Sequence, residues 1–163
     1  MSRQVLELEA VLQQLVGEHE RLLGHLDAHQ EAMRKLDLRR MDEEGKAQEA
    51  SRLRIATIEN RRRQLAQQLG LMLRIEAPVT ITKLAEALPQ MRDRLLSLGN
   101  AIKAVVGEIE RRVTVGSRLA GAIMGHLNTV VRLVAGVVEQ AGLYTRDGVP
   151  KVSGRIGVME AVG

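Results

Sequence analysis

Residues 5–36 read VLELEAVLQQLVGEHERLLGHLDAHQEAMRKL, and their spacing of apolar side chains indicates a helical fold. Apolar or histidine side chains recur at alternating steps of three and four residues, the heptad pattern of a helix that packs along one narrow seam. The seam residues are Val5, Leu8, Leu12, Leu15, His19, Leu22, Leu26, His29, Met33 and Leu36. A strand would need alternation every two residues, so we expect one helix about 50 Å long.

A break in the pattern follows this first seam. Asp37 is a suitable helix N-cap, because its carboxylate can accept hydrogen bonds from free backbone N–H groups of the next turn. A second seam then runs one residue out of phase with the first, through Ile55, Ile58, Arg62, Leu65, Leu69 and Met72. Either the chain turns back at Leu36–Asp37, which we favour, or one very long helix carries a register slip near Gly45.

Glycine and proline mark the later boundaries. We expect Gly70 and then Ala77-Pro78 to end the second helix, because proline disfavours helical geometry in the residue before it. Thr80 or Thr82 can cap a short third helix, and Pro89 suits the opening of a fourth.

The fourth predicted helix is the longest and has the widest apolar face. Its seam runs from Leu95 to Val137, and a second apolar column makes the face about three columns wide from Val113 onward. Gly142 can end this helix as a left-handed residue. The sequence beyond it has no helical period, so we expect a helical domain over residues 1–142 and a mobile tail over residues 143–163.

Composition supports a helical bundle. Hydrophobic residues make up 45% of the 163 residues but aromatic residues only 1%, which suits an aliphatic core of interdigitating helices. We therefore predict an all-α fold, an antiparallel bundle of long helices with a short helix between the second and the last. No apolar signal core follows Met1, and the longest uncharged apolar stretch, Leu119–Val131, is too short to span a bilayer. We expect a cytoplasmic protein without membrane insertion.

The sequence contains no pattern typical of catalysis. It has no cysteine, no phosphate-binding loop and no nucleophile beside a base, so we expect neither an enzyme nor a cofactor. His25 and His29 lie one helical turn apart and could share a metal, but no Glu-x-x-His motif accompanies them. We favour polar positions in and beside a seam and expect no metal site. The run Arg61–Arg63 can contact nucleic-acid phosphates or form a solvated face. Single-strand readers use aromatic platforms, and this chain has one tyrosine, so we expect no nucleic-acid partner.

The wide apolar face of the last helix is the best candidate for a binding site. It is longer than a polar column of the second helix, Glu44, Gln48 and Ser51, could cover. A surplus apolar stripe on a helix suggests a docking groove for a partner helix, although a bundle core would need the same residues. The expected substrate-helix contacts are Val113, Leu119, Ile123, Leu127, Val130, Val134 and Val137.

Several features together resemble the FlgN-type export chaperones. They are the leucine heptads from Leu8 to Leu36, the break Leu36-Asp37-Leu38, the arginine-rich stretch Glu59–Arg63, the segment Leu84-Ala85-Glu86-Ala87-Leu88-Pro89, the long last helix Arg94–Val138 and the tail motif Tyr144-Thr145-Arg146-Asp147-Gly148. The resemblance covers nearly the whole chain, and the tail motif is its most specific part. The chain departs from the family in the last helix, where a frequent pair of asparagines is replaced by Thr114 and Ser117.

The resemblance implies a cytoplasmic chaperone of flagellar type III export. Such a chaperone binds the terminal helices of hook–filament junction proteins and delivers them to the export gate at the membrane, with no cofactor. It further implies that Tyr144, Asp147 and Gly148 of the tail dock at the gate. A self-associating coiled-coil adaptor and a basic helical nucleic-acid binder are the alternatives from other functional classes.

Overall fold

The structure is a computed structural model that describes the backbone of residues 2–142 and the side chains of residues 3–136. Its elements are α1 (Ser2–Lys35), α2 (Leu38–Leu73), α3 (Ile81–Ala87), a 3-10 turn (Pro89–Met91) and α4 (Arg92–Gly142). No strand occurs in the described part of the chain. The prediction of an all-α bundle, with a short helix between the second and the last, is confirmed.

The chain turns back between α1 and α2, and this excludes one long leading helix. Leu36 adopts a left-handed backbone with φ 54°, and its N–H donates to the carbonyl of Met33 at 3.1 Å. The N–H of Asp37 donates to the carbonyl of Ala32 at 2.9 Å, which completes a Schellman motif. Asp37 then caps α2 as predicted, because its side chain accepts from the N–H of Arg40 at 3.0 Å.

The end of α2 differs from the prediction. The helix continues through Gly70 to Leu73, and the left-handed residue is Arg74, with φ 55°. The N–H of Ile75 donates to the Gly70 carbonyl at 2.9 Å, so this helix also ends in a Schellman motif without a glycine. Gly70 has a packing role instead, since a Cβ at this position would collide with a methyl group of Val79.

The starts of the later helices agree more closely with the predictions from the sequence. Thr80, and not Thr82, caps α3 by accepting from the N–H of Lys83 at 3.2 Å. Pro89 opens the 3-10 turn that leads into α4, and α4 itself begins three residues later, at Arg92. The described part of α4 runs to Gly142, so the predicted helix stop falls at the edge of the described residues and stays a prediction.

Two units divide the chain, Met1–Ala120 and Gly121–Gly163, and α4 contributes residues to both. The first unit holds the hydrophobic core, where the start of α1, the end of α2, α3 and the start of α4 meet. The buried core residues are Val5, Leu8, Val11, Leu12, Leu65, Ala66, Leu69, Leu84, Ala85 and Leu95. Most of the predicted α1 seam is buried, whereas the seam histidines are half-buried and Leu36 is exposed. The predicted domain boundary at residue 142 stays a prediction.

Polar contacts fix the antiparallel register of α1 against α2. The Arg54 Nε lies 2.8 Å from the Glu18 Oε1, and the His25 Nδ1 lies 2.8 Å from the Glu44 Oε2. The residue number of the α2 partner decreases as that of the α1 residue increases, so the two helices form an antiparallel hairpin.

Ion pairs also show that α4 runs parallel to α1 within the first unit. The Arg94 Nη1 lies 3.5 Å from the Glu9 Oε1, and the Arg112 Nε lies 3.1 Å from the Asp27 Oδ1. Both pairs are separated by the same 85 positions in the sequence. At this offset, Lys35 at the end of α1 lies level with Ala120, the last residue of the first unit.

Candidate partner-binding face on the last helix

A buried carboxylate joins the two helices of the hairpin. The Glu18 side chain is only 4% exposed and pairs with Arg54 and with Arg21, whose Nη1 lies 3.0 Å away. Ser51, also fully buried, accepts from the Arg54 guanidinium at 3.0 Å. Burial raises the pKa of the Glu18 carboxyl, but hydrogen bonds from Arg54, Ser51 and Arg21 outweigh it and hold the pKa below its ordinary value.

The polar column of α2 is therefore directed at α1. Ser51 joins the Glu18 cluster, Glu44 reaches His25, and the Gln48 amide donates to the His25 carbonyl at 3.4 Å. These contacts occupy the column within the α1–α2 hairpin, so it is not available to cover the apolar face of α4.

The end of α1 holds α4 through a buried amide. The Gln30 side chain is 3% exposed, and its Nε2 donates to the carbonyl of Arg112 at 2.6 Å. Gly116 leaves room for this amide, because a Cβ on Gly116 would lie 3.3 Å from the Gln30 Nε2. A glycine in the apolar seam of α4 therefore marks a close polar contact with α1 and not a weak point of the helix.

The α4 residues of the second unit leave their apolar side chains uncovered. The exposed fractions are 59% for Met124, 50% for Leu127, 54% for Val130, 64% for Val131, 66% for Leu133 and 57% for Val134, and Ile123 is half-buried. We call these seven residues the distal face. Contiguous apolar surface of this kind on a folded protein is typical of an interaction site.

The predicted substrate contacts fall into three groups. Leu127, Val130 and Val134 are exposed members of the distal face, together with the half-buried Ile123. In the first unit, Val113 is 41% exposed and Leu119 is half-buried. The side chain of Val137 lies outside the described residues. The use of these residues as substrate contacts stays a prediction, as does the consequence of Thr114 and Ser117, which are both exposed.

Three members of the distal face were not among the predicted contacts: Leu133, which lies in the predicted seam of the last helix, and Met124 and Val131. Met124 and Val131 are seven residues apart, and Val138 continues the series. This column borders the predicted one, so the same heptad analysis, extended by one column, would have included it. The apolar face is thus wider than the sequence analysis proposed.

A smaller apolar groove lies within the first unit, where side chains of α1, α2 and α4 line it. It encloses about 290 Å³, and its apolar lining includes Leu22, Ile55, Val106 and Ile109. These four side chains are buried or half-buried by the chain itself. The groove therefore offers a partner less uncovered apolar surface than the distal face does.

The residues considered for nucleic acid and metal have partners within the chain. Arg61 pairs with Glu7, and the Arg62 Nη2 lies 2.6 Å from the Glu59 Oε1. The hydrogen bond from Arg62 holds the pKa of Glu59 below its ordinary value. No group of three His, Asp or Glu side chains suited to a metal occurs among the described residues. His25 contacts Glu44, as expected for a polar position in a helix pair.

By length and composition alone, α4 could cross a membrane. An 18-residue window within residues 89–136 reaches a mean hydropathy of 1.3, and none of it is buried. The 18-residue window is longer than the uncharged stretch 119–131 because the window is allowed to contain charged residues. Arg132, His126 and Asn128 lie in this part of the helix, and such groups are unfavourable inside a bilayer.

The fold and the distal face together describe an all-helical protein whose last helix leaves apolar side chains uncovered. The family model described as "FlgN protein" matches residues 1–151, so the chain belongs to the FlgN family. Members of this family are non-enzymatic chaperones of flagellar type III protein export. No curated protein and no solved structure matches the chain at a significant level.

Proposed function

We propose that this protein binds the terminal helices of hook–filament junction proteins in the cytoplasm and delivers them to the export gate at the membrane. Membership of the FlgN family supports the export role. The observation that carries the proposal is the distal face, where six large apolar side chains are at least half exposed on one helix. An amphipathic partner helix hides its own apolar side by lying along such a face.

The size of the face suits a reversible complex. Complete burial of one Val, Leu, Ile or Met side chain contributes about 1.5–3 kcal/mol. The residues of the distal face are already about half covered, so each would contribute roughly 1 kcal/mol on this scale. Six such anchors give roughly 6 kcal/mol. The ordering of a disordered partner offsets part of this gain, which favours a complex that can dissociate again.

The alternative of a scaffold that self-associates through the first seam has less support. Val5, Leu8, Leu12 and Leu15 are all at least 95% buried by the chain's own helices. Self-association through these residues would require the bundle to open.

The gate-docking role belongs to the tail. Tyr144, Asp147 and Gly148 lie outside the described residues, and the resemblance of this segment to the family motif is the support for their role. A tyrosine ring offers a large apolar area and a polar tip with little entropy to lose, which suits a protein contact.

One experiment with three variants tests both steps. Leu127→Asp should weaken binding of a junction-protein terminal peptide at least tenfold, because it places a charge at the centre of the distal face. Asn128→Asp adds the same charge to the neighbouring exposed position, outside that face, and should leave the affinity unchanged. Tyr144→Ala should keep both the affinity and the melting temperature but reduce export of the junction protein by flagellated cells.

Two results would contradict the proposal. Equal affinities for Leu127→Asp and the unmodified protein, with both folded by circular dichroism, would show that the distal face does not bind the substrate. A Tyr144→Ala variant that exports normally would remove the docking role of the tail while leaving the substrate site in place.

A further inference from the structure

The apolar groove of the first unit is an open seat between three helices, and we call it the bundle groove. Leu22 of α1, Ile55 of α2, and Val106 and Ile109 of α4 form its apolar lining. Three helices around one apolar groove leave the fourth position of a four-helix bundle empty. The ligand that suits this shape is therefore another helix with an apolar side.

The rim of the bundle groove carries charges of both signs. Arg52 and Glu59 lie on the α2 side, and Glu110 lies on the α4 side. A helix flanked by charges of one sign would meet a like charge somewhere along this rim, and such opposition disfavours binding. An uncharged apolar helix face meets no such opposition, so it is the better occupant.

The distal face is an uncharged face of this kind. Among the Asp, Glu, Lys and Arg residues, only Arg132 falls within residues 121–136. It lies five residues from Leu127, which at about 100° per residue is the far side of the helix. The structure leaves the bundle groove open and six large apolar side chains of the distal face at least half exposed. Each surface is therefore available to its counterpart on a second molecule.

We propose that two copies of this chain pair when no substrate is bound, with the distal face of each copy seated in the bundle groove of the other. Each copy supplies one groove and one face, so the same contact forms twice and the assembly closes at two chains. The pairing hides apolar surface that favours aggregation when it is left in water. This inference goes beyond the proposed function, because it concerns the chain before a substrate arrives.

Sedimentation equilibrium of the full chain between about 1 and 100 μM measures the pairing, and we expect a monomer–dimer equilibrium. Leu127→Asp should raise the dimer dissociation constant at least tenfold, because it forces a carboxylate into an apolar groove. Asn128→Asp adds the same charge at the neighbouring exposed position, outside the distal face, and should leave the constant unchanged.

A second pair of variants tests the groove side of the contact. Ala56 is an exposed residue of the groove lining, and Thr57 is exposed beside it but outside that lining. Ala56→Arg fills the seat and should raise the dimer dissociation constant at least tenfold. Thr57→Arg adds the same side chain next to the groove and should have no such effect.

Crosslinking between single-cysteine variants locates the contact. Arg52→Cys, at an exposed position on the groove rim, is mixed with isotopically labelled Met124→Cys, on the distal face, and treated with a short bismaleimide. The control replaces Arg52→Cys with Arg40→Cys, which is also exposed on α2 but twelve residues away. We expect at least tenfold more mixed crosslink for the rim variant than for the control.

Three results would overturn the inference. A monomer at every concentration would show that the chain does not pair. A dimer that tolerates both Leu127→Asp and Ala56→Arg would place the interface elsewhere. A dimer weakened by Leu127→Asp alone, with equal crosslinking of the rim and control variants, would show that the distal face pairs without the groove. The substrate-peptide test of the proposed function is independent of all three.

Discussion

At the scale of single residues, Glu18 shows how a polar group becomes part of a helix interface. The first seam has an apolar residue or a histidine at every heptad position, so its pattern gives no sign that the adjacent Glu18 is buried. Its burial follows from the pairing of α1 with α2, which places Arg54 and Ser51 against the carboxylate. A buried carboxylate with these partners is stabilising only while it is charged.

The stability of the hairpin should therefore fall in acid through Glu18. A carboxyl whose pKa is depressed in the folded state contributes stability above its ordinary pKa, and that contribution is lost as the pH falls through the folded value. Glu18→Gln should lower the free energy of unfolding at pH 7 by about 1–3 kcal/mol. The same variant should lose less stability than the unmodified protein between pH 7 and about pH 3.5.

Urea unfolding at the two pH values measures both effects. Glu20→Gln is the control, since Glu20 is an exposed carboxylate two positions away on the same helix. Parallel losses of stability in Glu18→Gln and the unmodified protein would show that Glu18 does not carry the acid sensitivity.

At the scale of the elements, the sequence predicts the N-caps well but not the role of Gly70. Asp37 acts as predicted, and of the two predicted candidates, Thr80 and Thr82, the first caps α3. Such caps are predictable because an N-cap depends on a side chain and the N–H groups of the next turn, which are close in sequence. Gly70 was expected to end α2 but lies inside it. Its role depends on Val79, which packs against it from the loop between α2 and α3, and no local pattern encodes that contact.

Two alanine substitutions in α2 distinguish these roles. A Cβ on Gly45 would meet no atom within 4 Å, so Gly45→Ala should stabilise the protein by about 0.5–1 kcal/mol through helix propensity. Gly70→Ala gains the same propensity but pushes into Val79, and overpacking of this kind costs about 1–3 kcal/mol. Thermal melts should therefore shift in opposite directions. An equal rise in both variants would contradict the packing role of Gly70.

At the scale of the whole molecule, the heptad pattern predicts the helices and the wide face of α4, but not which part of that face stays uncovered. Coverage in the first unit depends on the offset of 85 positions between α1 and α4, set by Glu9 with Arg94 and Asp27 with Arg112. These pairs join residues that are distant in sequence. The candidate site was thus predictable as a surplus of apolar residues, whereas the exposure of its individual members is seen only in the structure.

The central claim is that a partner helix covers the distal face, and cysteine labelling tests it most directly. The chain has no cysteine, so one introduced thiol is a unique probe. Val130→Cys places it on the distal face, and Asn128→Cys places it at an exposed position outside that face. The measured quantity is the rate of alkylation with and without saturating junction protein. We predict that the partner slows alkylation of Val130→Cys at least tenfold and leaves Asn128→Cys unchanged. An unchanged rate at Val130→Cys under demonstrated binding would contradict the claim.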